Sequence, residues 1–177
     1  MTRILAFGAS TSSTSINKKF AHFAAQKIKD VELILIDLND FEAPLFSVDL
    51  EKEEGFPESI RRFRECLGTM DALVISLAEH NGNYTAAFKN LMDWMSRIDE
   101  NSIWLEKTVF LLSTSPGKRG GKSVHDIAMN ALPRYGANIT ASFSLPSFND
   151  NFSSEGITDE ELKKEFEEQL QQFVESL

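Results

Sequence analysis

A chain of 177 residues in which 42% of side chains are hydrophobic is long enough to bury the core of one globular domain. Its formal net charge of −9 argues against nucleic acid or an anionic membrane as a binding partner. No apolar run reaches the ~20 residues of a membrane span, and the single cysteine fits a reducing compartment, so we expect a cytoplasmic protein.

Strand and helix patterns alternate along the chain without a repeat or a long linker, and we expect no cleavable signal before the first strand. In chain order they predict a strand at 3–7, a helix at 15–29, a strand at 31–36, an irregular acidic segment at 37–55, a helix at 57–67, a strand at 72–77, a helix at 85–98, a strand at 108–112, a helix at 122–132 and a strand at 138–143. A final helix follows a capping box that begins at Thr158.

Five strands joined by helices predict a single α/β domain over residues 1–177. The helical connections imply a parallel sheet with right-handed crossovers, and a three-layer sandwich with a five-stranded sheet in the order 2-1-3-4-5 fits this pattern best. Open sheets of this kind bind ligands beyond the carboxyl ends of their strands, where the strand order reverses. The loops after the first, third and fourth strands are therefore the candidate site.

The loop after the first strand is rich in hydroxyl groups. Six of the ten residues from Gly8 to Asn17 carry one, and the loop runs directly into a helix, whose free N–H groups and dipole favour an anion. Neither Gly-x4-Gly-Lys-Ser/Thr nor Gly-x-Gly-x-x-Gly is present, so a terminal phosphate monoester fits better than a pyrophosphate. We expect Ser15 and Asn17 to contribute donors or a helix cap at the phosphate; the alternative is a serine-rich helix cap without a ligand.

The other two loops complete the prediction of a mononucleotide site. Residues Glu79 to Asn83 offer many hydrogen-bonding groups with little net charge, which suits a flat polar heterocycle better than a metal. In the loop at 113–122, Gly117 and Gly120 allow close approach of the backbone, although a plain turn is the alternative. FMN is the mononucleotide whose chemistry needs no catalytic residue from the protein, and we expect neither a catalytic residue nor a metal.

The motifs in these loops resemble those of the NAD(P)H-dependent FMN reductase family, a flavodoxin-like group that includes quinone, azo-dye and chromate reductases. Ser10, Ser15 and Asn17 match the family's first motif, Gly-Ser-x-Arg-x-x-Ser-x-Asn, but Ser12 stands at its arginine. Charge balance for a phosphate then falls to the helix dipole, the hydroxyls and a lysine, either Lys18 or Lys19.

The longer second motif and the glycine loop carry the resemblance further. Residues that match the second motif are Glu79, Asn81, Lys89, Asn90, Asp93 and Trp94. His80 replaces a tyrosine there, and a histidine allows two interpretations: flavin affinity or reactivity that depends on pH, or a neutral ring packed against the ribityl chain or adenine. Residues 115–121 follow the family's Ser-x-Gly-x-x-Gly-Gly pattern.

The resemblance implies a flavodoxin-like fold, bound FMN and NADPH or NADH as co-substrate. The electron acceptor would be a small molecule such as a quinone, azo or nitro compound. A flavodoxin-type electron carrier for a protein partner is the alternative. The cofactor-binding residues predicted from motif and position together are Ser10, Ser12, Ser15, Ile16, Asn17, Glu79, His80, Asn81, Gly82, Asn83, Ser115, Gly117 and Gly120.

One aromatic residue suggests assembly. Trp94 lies off the core stripe of its helix and is flanked by Asp93 and Arg97, a pattern typical of an interface. Family members usually pair through the helices after the third and fourth strands, so we expect a homodimer or homotetramer. The alternative is that Trp94 covers the sheet edge or a neighbouring loop.

Overall fold

A computed structural model describes residues 1–98 and 102–177, which form a five-stranded parallel sheet in the order β2-β1-β3-β4-β5. The strands are β1 (Thr2–Ala9), β2 (Val31–Leu35), β3 (Ala72–Leu77), β4 (Lys107–Thr114) and β5 (Ala137–Leu145). The predicted fold class and strand order are confirmed. All six residues of β3 are buried, as expected of a strand covered on both faces.

Helices cover both faces of the sheet and produce two hydrophobic cores. One face carries α1 (Ile16–Gln26) and α7 (Glu160–Glu175), which contribute aromatic side chains to a shared cluster. The opposite face carries α3 (Glu58–Gly68), α4 (Ala86–Met95) and α5 (Lys122–Ala131). The longest helix in the described ranges has 16 residues and a strongly charged surface, so none of these helices could cross a bilayer.

The acidic segment 37–55 is more regular than its sequence indicates. It contains a 3-10 turn at Leu38–Phe41 and the helix α2 (Val48–Glu54), where we expected irregular chain. No residue of α2 is buried, so the helix leaves no apolar stripe in the sequence. The hydroxyl of Ser47 begins the helix by accepting a hydrogen bond from the Leu50 N–H at 3.0 Å.

The chain after β5 also departs from the sequence pattern. A short helix α6 (Phe148–Asn151) leads into a small hairpin of β6 (Phe152–Ser153) and β7 (Gly156–Ile157) before α7 begins. Asp159, one residue after the predicted Thr158, is the helix cap, and its carboxylate accepts from the N–H groups of Glu161 and Leu162. A carboxylate at this position also suits the positive end of the helix dipole.

Trp94 is a core residue, and the prediction that it forms an interface is wrong. Its side chain is fully buried and its indole N–H donates to the Pro44 carbonyl at 2.8 Å. The side chain of Asn90, one turn earlier, accepts a hydrogen bond from the Phe46 N–H and donates to the carbonyls of Ala43 and Pro44. The alternative reading, a tryptophan that covers a neighbouring loop, is correct, and these two motif residues clamp the 43–46 segment onto α4.

Candidate functional site

A cleft of about 270 Å³ opens at the carboxyl edge of the sheet, where the loops after β1, β3 and β4 meet. The predicted site residues that line it are Ser10, Ser12, Ser15, Ile16, Asn17, Glu79, His80 and Ser115. Lining residues that the prediction missed are Thr14, Ala78, Thr114 and Pro116. The other predicted residues, Asn81, Gly82, Asn83, Gly117 and Gly120, lie in the same loops but outside this lining.

Close contact between β1 and α1 forms the first wall of the cleft. A Cβ at Gly8 would lie 2.3 Å from the Lys18 nitrogen, so only glycine lets the helix start against the strand end. The Ser15 hydroxyl caps α1 by accepting from the Lys18 N–H at 3.1 Å. Ile16 and Asn17 occupy the first turn, whose N–H groups have no carbonyl partner within the helix. Those N–H groups are therefore available to an anion in the cleft.

The hydroxyl groups of this loop form hydrogen bonds within the loop, and some of them still have a proton to donate to a ligand. Ser10 accepts from the Ser12 N–H at 3.2 Å, and the Ser12 and Thr14 hydroxyl oxygens lie 3.3 Å apart. A hydroxyl that accepts a hydrogen bond still has its own proton to donate. Ser10 and Ser15 are buried, whereas Ser12 and Thr14 are exposed. The loop thus combines fixed and adjustable donors along one wall.

The side chain of Asn17 is committed to the protein. Its Nδ2 donates to the Thr114 carbonyl at 3.1 Å, and its Oδ1 accepts from the Ser76 hydroxyl at 2.7 Å and the Thr114 N–H at 3.1 Å. This amide joins the start of α1 to the ends of β3 and β4, and only 3% of the residue is exposed. Asn17 therefore faces an anion chiefly through its backbone N–H, and the expected role of its side chain is structural.

Lys18 does not supply an uncompensated charge to this wall. Its ammonium group donates to the carboxylate of Asp37, which also accepts from Asn39. Burial raises the pKa of Asp37, but the hydrogen bonds from Lys18 and Asn39 outweigh that effect and lower it below its usual value. A phosphate in the cleft would be held mainly by neutral donors and the helix dipole, as the missing arginine led us to expect.

The second loop is a two-residue hairpin turn. His80 and Asn83 exchange both backbone hydrogen bonds, at 3.0 and 3.1 Å, around Asn81 and Gly82. The two central residues have φ angles of 52° and 77°, the left-handed pair that Asn-Gly favours. Asn81 and Gly82 thus shape the turn, and His80 lies exposed at the cleft. The Asn-Gly dipeptide was the sequence signal for this geometry.

Glu79 connects the second loop to the third. Its carboxylate accepts from the Val124 N–H in the first turn of α5 at 3.1 Å. An acidic side chain at a helix N-terminus satisfies a free N–H and suits the helix dipole. Glu79 therefore lies in the cleft wall, and its carboxylate is already hydrogen-bonded to the protein.

The glycine loop is held in place from inside the domain. Gly120 has φ +60°, and a Cβ there would lie 2.6 Å from the Ser144 hydroxyl. The Gly120 carbonyl accepts from the hydroxyls of Ser113, at 2.9 Å, and Ser144, at 3.0 Å. The His125 Nδ1 atom lies 3.1 Å from the Ser113 hydroxyl, and it is the donor whenever the Ser113 proton points at the Gly120 carbonyl. Burial lowers the pKa of His125, which favours the neutral ring.

Sheet order and cleft position together define a flavodoxin-like α/β domain. Residues 2–150 match the family described as NADPH-dependent FMN reductase, and the chain belongs to that family. The sequence resemblance described above is thereby confirmed.

Two relatives and one solved structure are similar to this chain. A Mycoplasma pneumoniae protein, the uncharacterized MG342 homolog, is 31% identical over 80% of this chain and 85% of its own length. The Arabidopsis thaliana NADPH:quinone oxidoreductase is 27% identical over 71% of this chain, but the match spans only 64% of that protein. The flavoenzyme FerB from Paracoccus denitrificans, an NAD(P)H:acceptor oxidoreductase, has the same fold, with a TM-score of 0.78, 22% identity and coverage of 99% and 96% of the two chains.

Proposed function

We propose that this protein is an FMN-dependent oxidoreductase that uses NAD(P)H to reduce a small-molecule acceptor of the quinone, azo or nitro class. The observation that carries the proposal is the wall formed by the start of α1, where hydroxyls and free N–H groups line one cleft. Family membership and the quinone reductase activity named for the Arabidopsis relative support the same chemistry. A cytoplasmic location is part of the proposal.

The residues present fit FMN at its phosphate end. Ser10, Ser12, Ser15 and the N–H groups of Ile16 and Asn17 are donors suited to a terminal phosphate. Glu79 contributes a carboxylate to the cleft lining, and this carboxylate accepts a hydrogen bond from the Val124 N–H in the first turn of α5. A dianionic phosphate therefore meets donors and not a free carboxylate along this wall.

The protein's part in the reaction is binding and orientation. FMN held at the α1 wall by Ser10, Ser12 and Ser15 would supply the redox chemistry, which is hydride uptake from a nicotinamide and electron delivery to an acceptor. His80 and the 81–82 turn border the cleft from the β3 side, and the fixed glycine loop borders it from the β4 side. These two loops and the start of α1 would hold a flat ring system between them in one cleft.

Absorbance and rapid mixing test the proposal directly. The purified protein should carry flavin absorbance near ~450 nm. Anaerobic stopped-flow mixing with NADPH or NADH should bleach that band without any partner protein. A flavin spectrum that neither nucleotide bleaches would contradict the reductase proposal.

A flavodoxin-type electron carrier is the second candidate, and the acidic net charge of −9 suits it. Flavodoxins usually stack aromatic rings on the flavin. In the described chain, the residues that line this cleft include no Phe, Tyr or Trp. Dependence of flavin reduction on a separate reductase protein would favour the carrier.

The phosphate wall predicts a preference among flavins. Calorimetric titration of the apo-protein should show FMN binding and no comparable binding of FAD, because the wall suits a terminal monoester. Ser15→Ala should weaken FMN about tenfold while riboflavin changes little, since the variant loses the proposed hydrogen bond to the charged phosphate as well as the cap on the Lys18 N–H. Ser13→Ala, at an exposed residue outside the cleft lining, is the matched control. Equal weakening of both ligands would show that the phosphate binds elsewhere.

We also propose a homodimer, or a homotetramer built from it. With Trp94 buried, the support comes from Leu45, which is 80% exposed on the segment that Asn90 clamps, and from Val48, which is 48% exposed beside it. Exposed apolar side chains that lie close together in the sequence of an anchored segment are compatible with an interface. Light scattering should show that Leu45→Glu weakens assembly, whereas Val174→Glu, on an exposed apolar position of α7, does not. A monomeric wild-type protein at micromolar concentration would contradict this proposal.

A further inference from the structure

The glycine loop presents two adjacent cations at the tip of a tight turn. The Gly120 N–H donates to the Gly117 carbonyl at 3.2 Å, which closes a four-residue turn with Lys118 and Arg119 at its centre. Both side chains are exposed. The turn follows Ser115 and Pro116, which line the cleft, so the two cations lie just outside the cleft wall.

The base of this turn is anchored at both ends. The Gly117 carbonyl also accepts from the Ser147 N–H at 2.9 Å, and the Gly120 carbonyl accepts from Ser113 and Ser144. An anchored base limits the positions that the two long side chains can sample. Less conformational freedom is then lost when they bind a ligand.

The charges of Lys118 and Arg119 are not neutralised by the protein. Among residues 1–98 and 102–177, no carboxylate forms an ion pair with either side chain. Arg119 donates only to the Ser123 hydroxyl, at 2.8 Å, whereas the nearby Lys122 is paired with Asp126. Two adjacent uncompensated cations beside a cleft are unusual on a surface with a net charge of −9.

We propose that Lys118 and Arg119 bind the 2′-phosphate of NADPH and so select NADPH over NADH. The inference rests on the proposed function, because it assigns the co-substrate of that same site. A phosphate monoester carries nearly two negative charges, and a lysine beside an arginine can offer it charge-assisted hydrogen bonds. The FMN phosphate is assigned to the separate wall at α1, so the turn is free for the second nucleotide.

The experiment compares Lys118→Gln/Arg119→Gln with a matched control of equal charge change. Lys163→Gln/Lys164→Gln removes two adjacent exposed lysines from α7, on the other face of the sheet. Steady-state kinetics should show the ratio of kcat/KM for NADPH to that for NADH falling about tenfold or more in the turn variant, through KM, with FMN affinity unchanged. The α7 variant should keep the wild-type ratio.

A binding measurement separates this inference from the proposed function. Calorimetry of the FMN-loaded protein with adenosine 2′,5′-bisphosphate and with 5′-AMP should show tighter binding of the bisphosphate, and the turn variant should lose that difference. Equal loss of NADH and NADPH efficiency, or a change only in the KM of an anionic acceptor, would overturn the inference. Failure of both nucleotides to reduce the wild-type flavin would overturn the proposed function, while the calorimetric comparison would still decide the role of the turn.

Discussion

The loops after β1 and β4 border one cleft but use their polar groups in opposite ways. In the first loop, Ser12 and Thr14 are exposed and the first N–H groups of α1 lack helical partners. In the glycine loop, the carbonyls of Gly117 and Gly120 each accept several hydrogen bonds from the protein. The first loop therefore keeps donors for a ligand, whereas the second uses its polar groups to hold a shape.

Asn17 joins the two loops, and its loss should have the largest effect. Asn17→Ala leaves the Ser76 hydroxyl and both backbone groups of Thr114 without this partner in a buried place. We expect the free energy of unfolding to fall by about 3 kcal/mol, with FMN and riboflavin weakened alike. Urea denaturation and calorimetry measure the two effects. Asn138→Ala, at an exposed position of β5, is the control.

Stability unchanged in Asn17→Ala would contradict the structural role of the amide. If FMN binding weakened and riboflavin binding did not, the Asn17 side chain would have the phosphate-binding role that the sequence motif first indicated. Either result would break the distinction between a ligand-binding loop and a shape-holding one.

A smaller effect is expected from a methyl group in the glycine loop. Gly120→Ala combines a left-handed backbone with a contact of 2.6 Å to the Ser144 hydroxyl, and should lower the free energy of unfolding by about 2 kcal/mol. In Gly117→Ala the nearest atom to the new methyl, in Ser115, is 3.9 Å away, so the change should stay within about 0.5 kcal/mol. Equal midpoint temperatures of thermal denaturation for the two variants would show that the loop is not anchored at Gly120.

The smallest effect is a pH dependence of stability. Burial lowers the pKa of His125, and the same cause lowers that of the half-buried His22. Below about pH 6.5 the unfolded chain takes up protons before the folded chain does, so stability should decline as pH falls from there toward the folded pKa values. His125→Asn and His22→Asn should each flatten this profile in urea denaturation, and the double variant should flatten it most.

Only His125→Asn should also loosen the glycine loop, since His125 is hydrogen-bonded to the Ser113 hydroxyl that holds Gly120. Faster amide exchange in residues 113–121 of this variant, with no change in the His22→Asn protein, would sharpen the comparison. Identical pH profiles for all four proteins would contradict the burial of neutral histidines.

The sequence by itself determined the sheet order and the three loops that border the cleft. Apolar runs and helical periodicity are local signals, and the position of each loop follows once the strands are placed. The sequence did not predict the helix α2, because none of its residues is buried and no apolar stripe marks it. The turn at Asn81 and Gly82 was readable locally, since both central residues need positive φ.

Tertiary structure alone decided what the matching motif residues do. Asn17 bonds to Thr114, 97 residues away, and Trp94 bonds to Pro44, 50 residues away. Both looked available for a ligand or a partner because a sequence pattern shows the donor without its acceptor. A buried polar group forms a hydrogen bond with the partner that folding brings near it. The free-energy penalty of leaving such a group unsatisfied exceeds the net stabilisation that one hydrogen bond contributes. That choice depends on long-range packing, which no local pattern contains.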